Sequence, residues 1–194
     1  IAPGCTLKFA DDKGLYTGVD SYGWYWAKLI AQGTQALPIT FTAVTPEAGK
    51  WNGILLRAGT RSESVLEHCI VEYAGGPGTT TAVQIQGNNT SLTDCEIRSS
   101  GAYGLYADDS AAPVVTRCSF TDNVGFPVSF HWSRVDGIKS VTGTGNQAGN
   151  EIQLRPANIT ANTHLRAVGM GYRFVDDASV YNGATLLVDH GVTM

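Results

Sequence analysis

Apolar residues recur two apart in short runs along this chain, and the runs themselves recur. One set reads Gly53-Ile54-Leu55-Leu56, Ala82-Val83-Gln84-Ile85, Gly104-Leu105-Tyr106-Ala107, Pro127-Val128-Ser129-Phe130 and Glu151-Ile152-Gln153-Leu154. That spacing is the period of a strand with one buried face. It predicts that Ile54/Leu56, Val83/Ile85, Leu105/Ala107, Val128/Phe130 and Ile152/Leu154 point inward. A second set interleaves with the first: Val65–Val71, Ser91–Ile97 and Val114–Phe120. These align without gaps, with Cys69, Cys95 and Cys118 spaced by 26 and then 23 residues. Leu66, Leu92 and Val115 share one position, and Val71, Ile97 and Phe120 another.

Short strands repeating every 23–26 residues, with apolar positions in register, describe one coil of a solenoid. One such coil cannot bury its own apolar face, but a stack of them forms a continuous core. Paired helices are disfavoured, because the repeats are too short and too rich in β-branched and turn residues. A β-sandwich does not require the same columns in every repeat. The expected fold is therefore all-β, a right-handed parallel β-helix.

The motifs resemble those of the pectate-lyase-like superfamily, in particular secreted bacterial parallel β-helix repeat proteins. Ile1–Phe9 resembles the entry strand of such domains. Leu29–Thr34, Pro38–Thr42 and Trp51–Ile54 resemble the coils that follow. The resemblance implies a secreted or cell-surface bacterial protein. Near the other end, Val188, Gly191, Thr193 and Met194 lie over Ile1, Gly4, Thr6 and Leu7. Two expectations follow for the division of the chain. Residues 1–162 form β-helix coils, and residues 163–194 either close the helix or open a following array.

Composition narrows the function. Charged residues are only 15% against 43% hydrophobic, and the net charge is −4. No basic run offers a footprint for nucleic acid. No apolar run approaches the roughly 18 residues of a membrane span. The chain begins with Ile1, read as a processed protein or an excised fragment. The low charge and the abundance of Ser, Thr, Asn and Gly point to an extracellular or cell-surface setting. No CxxC pair supports a zinc or redox site, and Cys69, Cys95 and Cys118 are expected inside as small hydrophobes.

The outward positions carry the candidate chemistry. Arg57, Gln86, Asp108, His131 and Arg155 occupy one outward column, beside Leu55, Gln84, Tyr106, Ser129 and Gln153. Coils about 4.8 Å apart bring Asp108 beside His131, with Arg155 one coil beyond. Such a row could bind an acidic sugar or move a proton. Asp108-Asp109 is similar to the paired carboxylates of polygalacturonase-like glycosidases, whose Gly-His-Gly and Arg-Ile-Lys elements the chain lacks. Candidate ligand-binding residues are Arg57, Tyr106, Asp108, His131 and Arg155, with the aromatics Trp24, Tyr25 and Trp26. The favoured reading of the aromatics is a cap over the open end of the solenoid. His68, Asp94 and Arg117, one residue before each Cys, read as a surface charge ladder, too few ligands for a metal. No cofactor is expected. The leading reading is a non-catalytic scaffold or adhesin module, with carbohydrate or a cell-surface partner as its ligand. The rivals are a polysaccharide lyase or glycoside hydrolase using Asp108, His131 and Arg155, and a segment that assembles end to end.

Overall fold

A computed structural model describes residues 1–18, 27–59, 63–87, 89–155 and 158–194. The chain winds through three parallel sheets in turn. The first holds β1 (Thr6–Phe9), β4 (Ile39–Ala43), β7 (Cys69–Glu72), β10 (Glu96–Arg98), β13 (Ser119–Thr121) and β16 (Thr142–Thr144). The second holds β2 (Gly14–Thr17), β5 (Gly53–Leu56), β8 (Thr81–Ile85), β11 (Tyr103–Ala107), β14 (Val128–His131), β17 (Ile152–Arg155) and β19 (Tyr172–Phe174). The third holds β3 (Ile30–Gln32), β6 (Val65–Glu67), β9 (Ser91–Thr93), β12 (Val114–Thr116) and β15 (Ile138–Lys139). Beyond it β18 (Thr163–Leu165) and β20 (Leu186–Val188) pair with each other. This is the right-handed parallel β-helix that the columns predict.

Register places like over like. Ile54 pairs with Val83, Val83 with Leu105, Leu105 with Val128, and Val128 with Ile152. All five side chains are at most 1% exposed. In the third sheet Leu66 pairs with Leu92 and Leu92 with Val115; in the first, Val71 pairs with Ile97 and Ile97 with Phe120. At a few Å between neighbours, each side chain in a column covers the one beneath it, so the core is continuous through the stack. The three aligned cysteines are buried and unbridged. Each thiol donates to a carbonyl of the preceding coil: Cys69 to Ala31, Cys95 to Leu66 and Cys118 to Leu92. At one end Trp51 is fully buried, stacks on Phe9 at 4.3 Å, and donates its indole N–H to the Glu72 carbonyl.

The corners explain how the coil stays so tight. Between third-sheet and first-sheet strands a single residue turns the chain: His68, Asp94, Arg117 and Ser140, with φ between 45 and 53°. Tyr73, Ser99, Asp122 and Gly145, also left-handed, open the longer connections from the first sheet to the second. The left-handed region costs an L-residue about 1 kcal/mol. The turned backbone recovers hydrogen bonds to the next coil: His68 N–H to Thr93 O, Asp94 N–H to Thr116 O and Arg117 N–H to Lys139 O.

One buried polar row has no counterpart in the apolar pattern. Asn123 accepts from the Ser100 N–H at 3.0 Å and donates to Ile97 O and to Asn146 Oδ1. Asn146 in turn donates to Phe120 O and to Asn150 Oδ1. Asn123 is fully buried, so every one of its polar atoms needs a partner. Replacing it with Ala would leave the Ser100 N–H and the Ile97 carbonyl without that amide. Asn123→Ala is expected to lower stability by about 2–4 kcal/mol, from several buried groups unpaired at once. Equilibrium urea unfolding of the two proteins checks this.

Candidate functional site

The outward face of the second sheet carries the column Leu55, Gln84, Tyr106, Ser129, Gln153 and Arg173, paired residue by residue. It is less open than a solvated surface. Leu55 and Gln153 are buried, and Ser129 has no exposed area. Arg155, at the end of β17, lies back across the coils. Its guanidinium sits 4.1 Å from the centre of the Tyr106 ring. It donates to Ser129 Oγ at 3.1 Å and to Asp109 Oδ1 at 2.9 Å, and to the carbonyls of Ser129 and Ala107. Its side chain is left 15% exposed. Similar guanidinium–ring contacts join Arg57 to Tyr16 at 5.1 Å and Arg173 to Phe126 at 5.6 Å.

Of the expected Asp108–His131–Arg155 row, His131 and Arg155 are paired strand neighbours across β14 and β17, while Asp108 lies just past the end of β11 and its carboxylate turns away. Asp108 turns its carboxylate into its own loop. Oδ1 accepts from Gly87 N–H, Ser110 N–H, Ser110 Oγ and Ala111 N–H, at 2.8–3.1 Å. Asp109, not Asp108, meets Arg155. The physical reason is local: an aspartate at a strand end closes a turn onto the N–H groups two and three residues on. Trp24, Tyr25 and Trp26 lie outside the described residues.

His131 has a structural partner too. Its Nδ1 lies 2.8 Å from Ser133 Oγ and accepts from the Ser133 N–H, opening the 3-10 turn Trp132–Gly137. Burial holds the imidazole below its usual range; Asp109 opposes this, while Arg155 and Arg134 add to it. The corner ladder is formed: Arg117 makes two bonds to Asp94, at 2.7 and 2.6 Å, and His68 Nε2 is 4.0 Å away. Hydrogen bonding to Arg117 holds the Asp94 carboxyl below its ordinary value.

The pattern of outward columns did not single out another group. Asp136, His164, Arg166 and Asp189 come together beside a cavity of about 640 Å³, from three different coils. Only His164 sits within a strand; Asp136 lies in the 3-10 turn, and Arg166 and Asp189 follow the ends of β18 and β20, where the column pattern gives no signal.

A histidine whose pKa is lowered in the folded state binds a proton more readily when unfolded. Its contribution to stability is full above about pH 6.5 and is lost as pH falls through the lower folded value. Protonation also removes the Nδ1 acceptor of the turn. Stability is thus expected to drop on going from pH 7.5 to 5, with a shallower drop in His131→Asn. Urea unfolding midpoints at both pH values check this.

Among the described residues no helix is long and apolar enough to cross a membrane, and no group of three or more His, Cys, Asp or Glu could hold a metal ion. No curated protein and no solved structure matches the chain. A family model described as the right handed beta helix region matches residues 29–183, the stretch from the start of the third sheet to the turn before β20. The coils, their columns and that match agree: this chain belongs to the right-handed β-helix family.

Proposed function

We propose that the chain is a non-catalytic extracellular β-helix module, a surface scaffold or adhesin akin to the secreted bacterial members of the pectate-lyase-like superfamily. One observation carries the reading. The three polar side chains best placed for chemistry are bonded into the scaffold. Asp108 accepts four hydrogen bonds within its turn and from the preceding coil, Arg155 donates four, and His131 opens a 3-10 turn. A general acid or base needs a polar atom within reach of substrate, about 2.6–3.2 Å. Here Asp108 Oδ1, His131 Nδ1 and the Arg155 guanidinium are engaged in holding the coils.

The same face supports polysaccharide as the ligand. Tyr103, Tyr106 and Phe126 are half-buried and adjacent, with ring centres 6.2–6.5 Å apart, and guanidinium groups stand over two of them. Rings joined to fixed cations can present stacking surface and hydrogen-bond donors together.

Asp108→Asn separates the readings, because the amide oxygen still accepts in the turn while the carboxylate is gone. The protein and this variant are incubated with a panel of acidic and neutral polysaccharides. No new reducing ends or unsaturated products are expected from either, with melting temperatures within a few degrees. Asp108→Ala, which leaves the turn N–H groups without an acceptor, should cost about 2 kcal/mol, or roughly 4–8 °C for a chain of this size. Product formation by the parent that vanishes in Asp108→Asn overturns the non-catalytic reading.

A further inference from the structure

We propose that the gap in the third sheet is a binding site for a small carboxylic acid with an apolar body. Up to β15 each third-sheet strand bonds to the strand in the next coil. After β15 the ladder stops, and β18 pairs with β20 instead. Coil-to-coil bonding resumes just beyond, at Val141 N–H to Val168 O, 2.7 Å. The break leaves a cavity of about 640 Å³ between the turn before β15 and the strand β18. That volume lies within the ~300–1,000 Å³ of small-molecule sites.

The cavity has two kinds of wall. Val135, Ile138, Val168 and Tyr172 form an apolar floor and are each no more than 7% exposed. The rim carries Lys139, Arg166 and His164 against one carboxylate, Asp136. A cationic rim is notable in a chain of net charge −4. His164 is matched elsewhere, its Nε2 lying 2.5 Å from Asp189 Oδ1. That leaves Lys139 and the Arg166–Asp136 pair on the rim.

Asp136 marks where the ligand's charge belongs. Its carboxylate is bonded to Arg166 Nη1. Asp136, His164 and Arg166 also line a second cavity of about 330 Å³, so this pair stands as the partition between two spaces. Both side chains are half or more exposed, 73% and 50%. An ion pair that open to water holds its partners weakly. A ligand carboxylate can therefore take Asp136's place on the guanidinium, which suits carboxylates by its fork of donors. Tyr172, buried in the floor, donates its hydroxyl to the Arg166 carbonyl at 2.9 Å and fixes the backbone from which the arginine projects. The ligand's apolar part then lies against the floor. This site is separate from the outward face of the second sheet and does not depend on its function.

The test is a calorimetric or ligand-observed NMR titration with 3-phenylpropionate, and with 3-phenylpropionamide as the uncharged control. Saturable binding of the acid and several-fold weaker binding of the amide are expected. Asp136→Asn frees Arg166 and should tighten the acid about threefold. Arg166→Gln should weaken it about three- to fivefold, and Arg166→Lys less. Both positions are exposed, and circular dichroism confirms that each variant is folded. A peptide ending in Phe, as free acid and as amide, distinguishes the ligand's source. Tighter binding of the peptide acid than of 3-phenylpropionate points to a polypeptide C-terminus, and the reverse to a free small acid. Equal binding of acid and amide, no binding by parent or Asp136→Asn, or a change of the same sign in Asp136→Asn and Arg166→Gln overturns the proposal.

Discussion

The parallel hydrogen-bond ladder between coils governs this molecule, since it forces every residue to stand directly on its counterpart in the next turn. A side chain that suits the interior in one coil must suit it in the next. Ile54, Val83, Leu105, Val128 and Ile152 are the result. The same rule applies to polar groups. Asn123 over Asn146 is a stack in which each amide completes its neighbour's bonding. The cysteines obey it as well, and contact with Cys95 together with burial pushes the Cys118 thiol far above the usual range. The stack tolerates variation only where side chains leave it, at the corners and along the outward faces.

The ladder also explains why the candidate face is stiff rather than reactive. Outward groups on neighbouring coils are close enough to bond to one another, and on this face they do. Arg155 spans from its own strand to Ala107 and Asp109, two coils away in the sheet. The guanidinium is thereby a tie between coils. Where the ladder fails, between β15 and β18, the opposite holds. Side chains from separate coils meet around open space, with the exposed Asp136–Arg166 ion pair between them.

How much of this could be read from the chain varies with the physical cause. The buried columns were legible because burial and a period of two leave a direct mark on residue type, as in Val71, Ile97 and Phe120. The corners were not. Left-handed residues are usually betrayed by glycine, yet His68, Asp94, Arg117 and Ser140 occupy these positions. Asn123 and Asn146 look like ordinary loop residues until the stack makes them neighbours. In the candidate site the register of His131 over Arg155 was legible, but the direction of each side chain was not. A turn two residues long decides that Asp108 faces Ser110 and Ala111, and no column pattern encodes it. The cleft at Arg166 depends on where a ladder stops, and that is a property of several coils together.

The cysteine row has a practical consequence. Cys69, Cys95 and Cys118 are sealed in the core, while Cys5 stands exposed in the first coil. Thiolate, not thiol, reacts with electrophiles, so burial shields all three, and in Cys95 and Cys118 the neighbouring thiols and burial also push the pKa upward. In the native state a maleimide dye or surface linker would attach at Cys5 and leave the inner row untouched. The first coil thus carries an exposed chemical handle that the sealed row above it does not share.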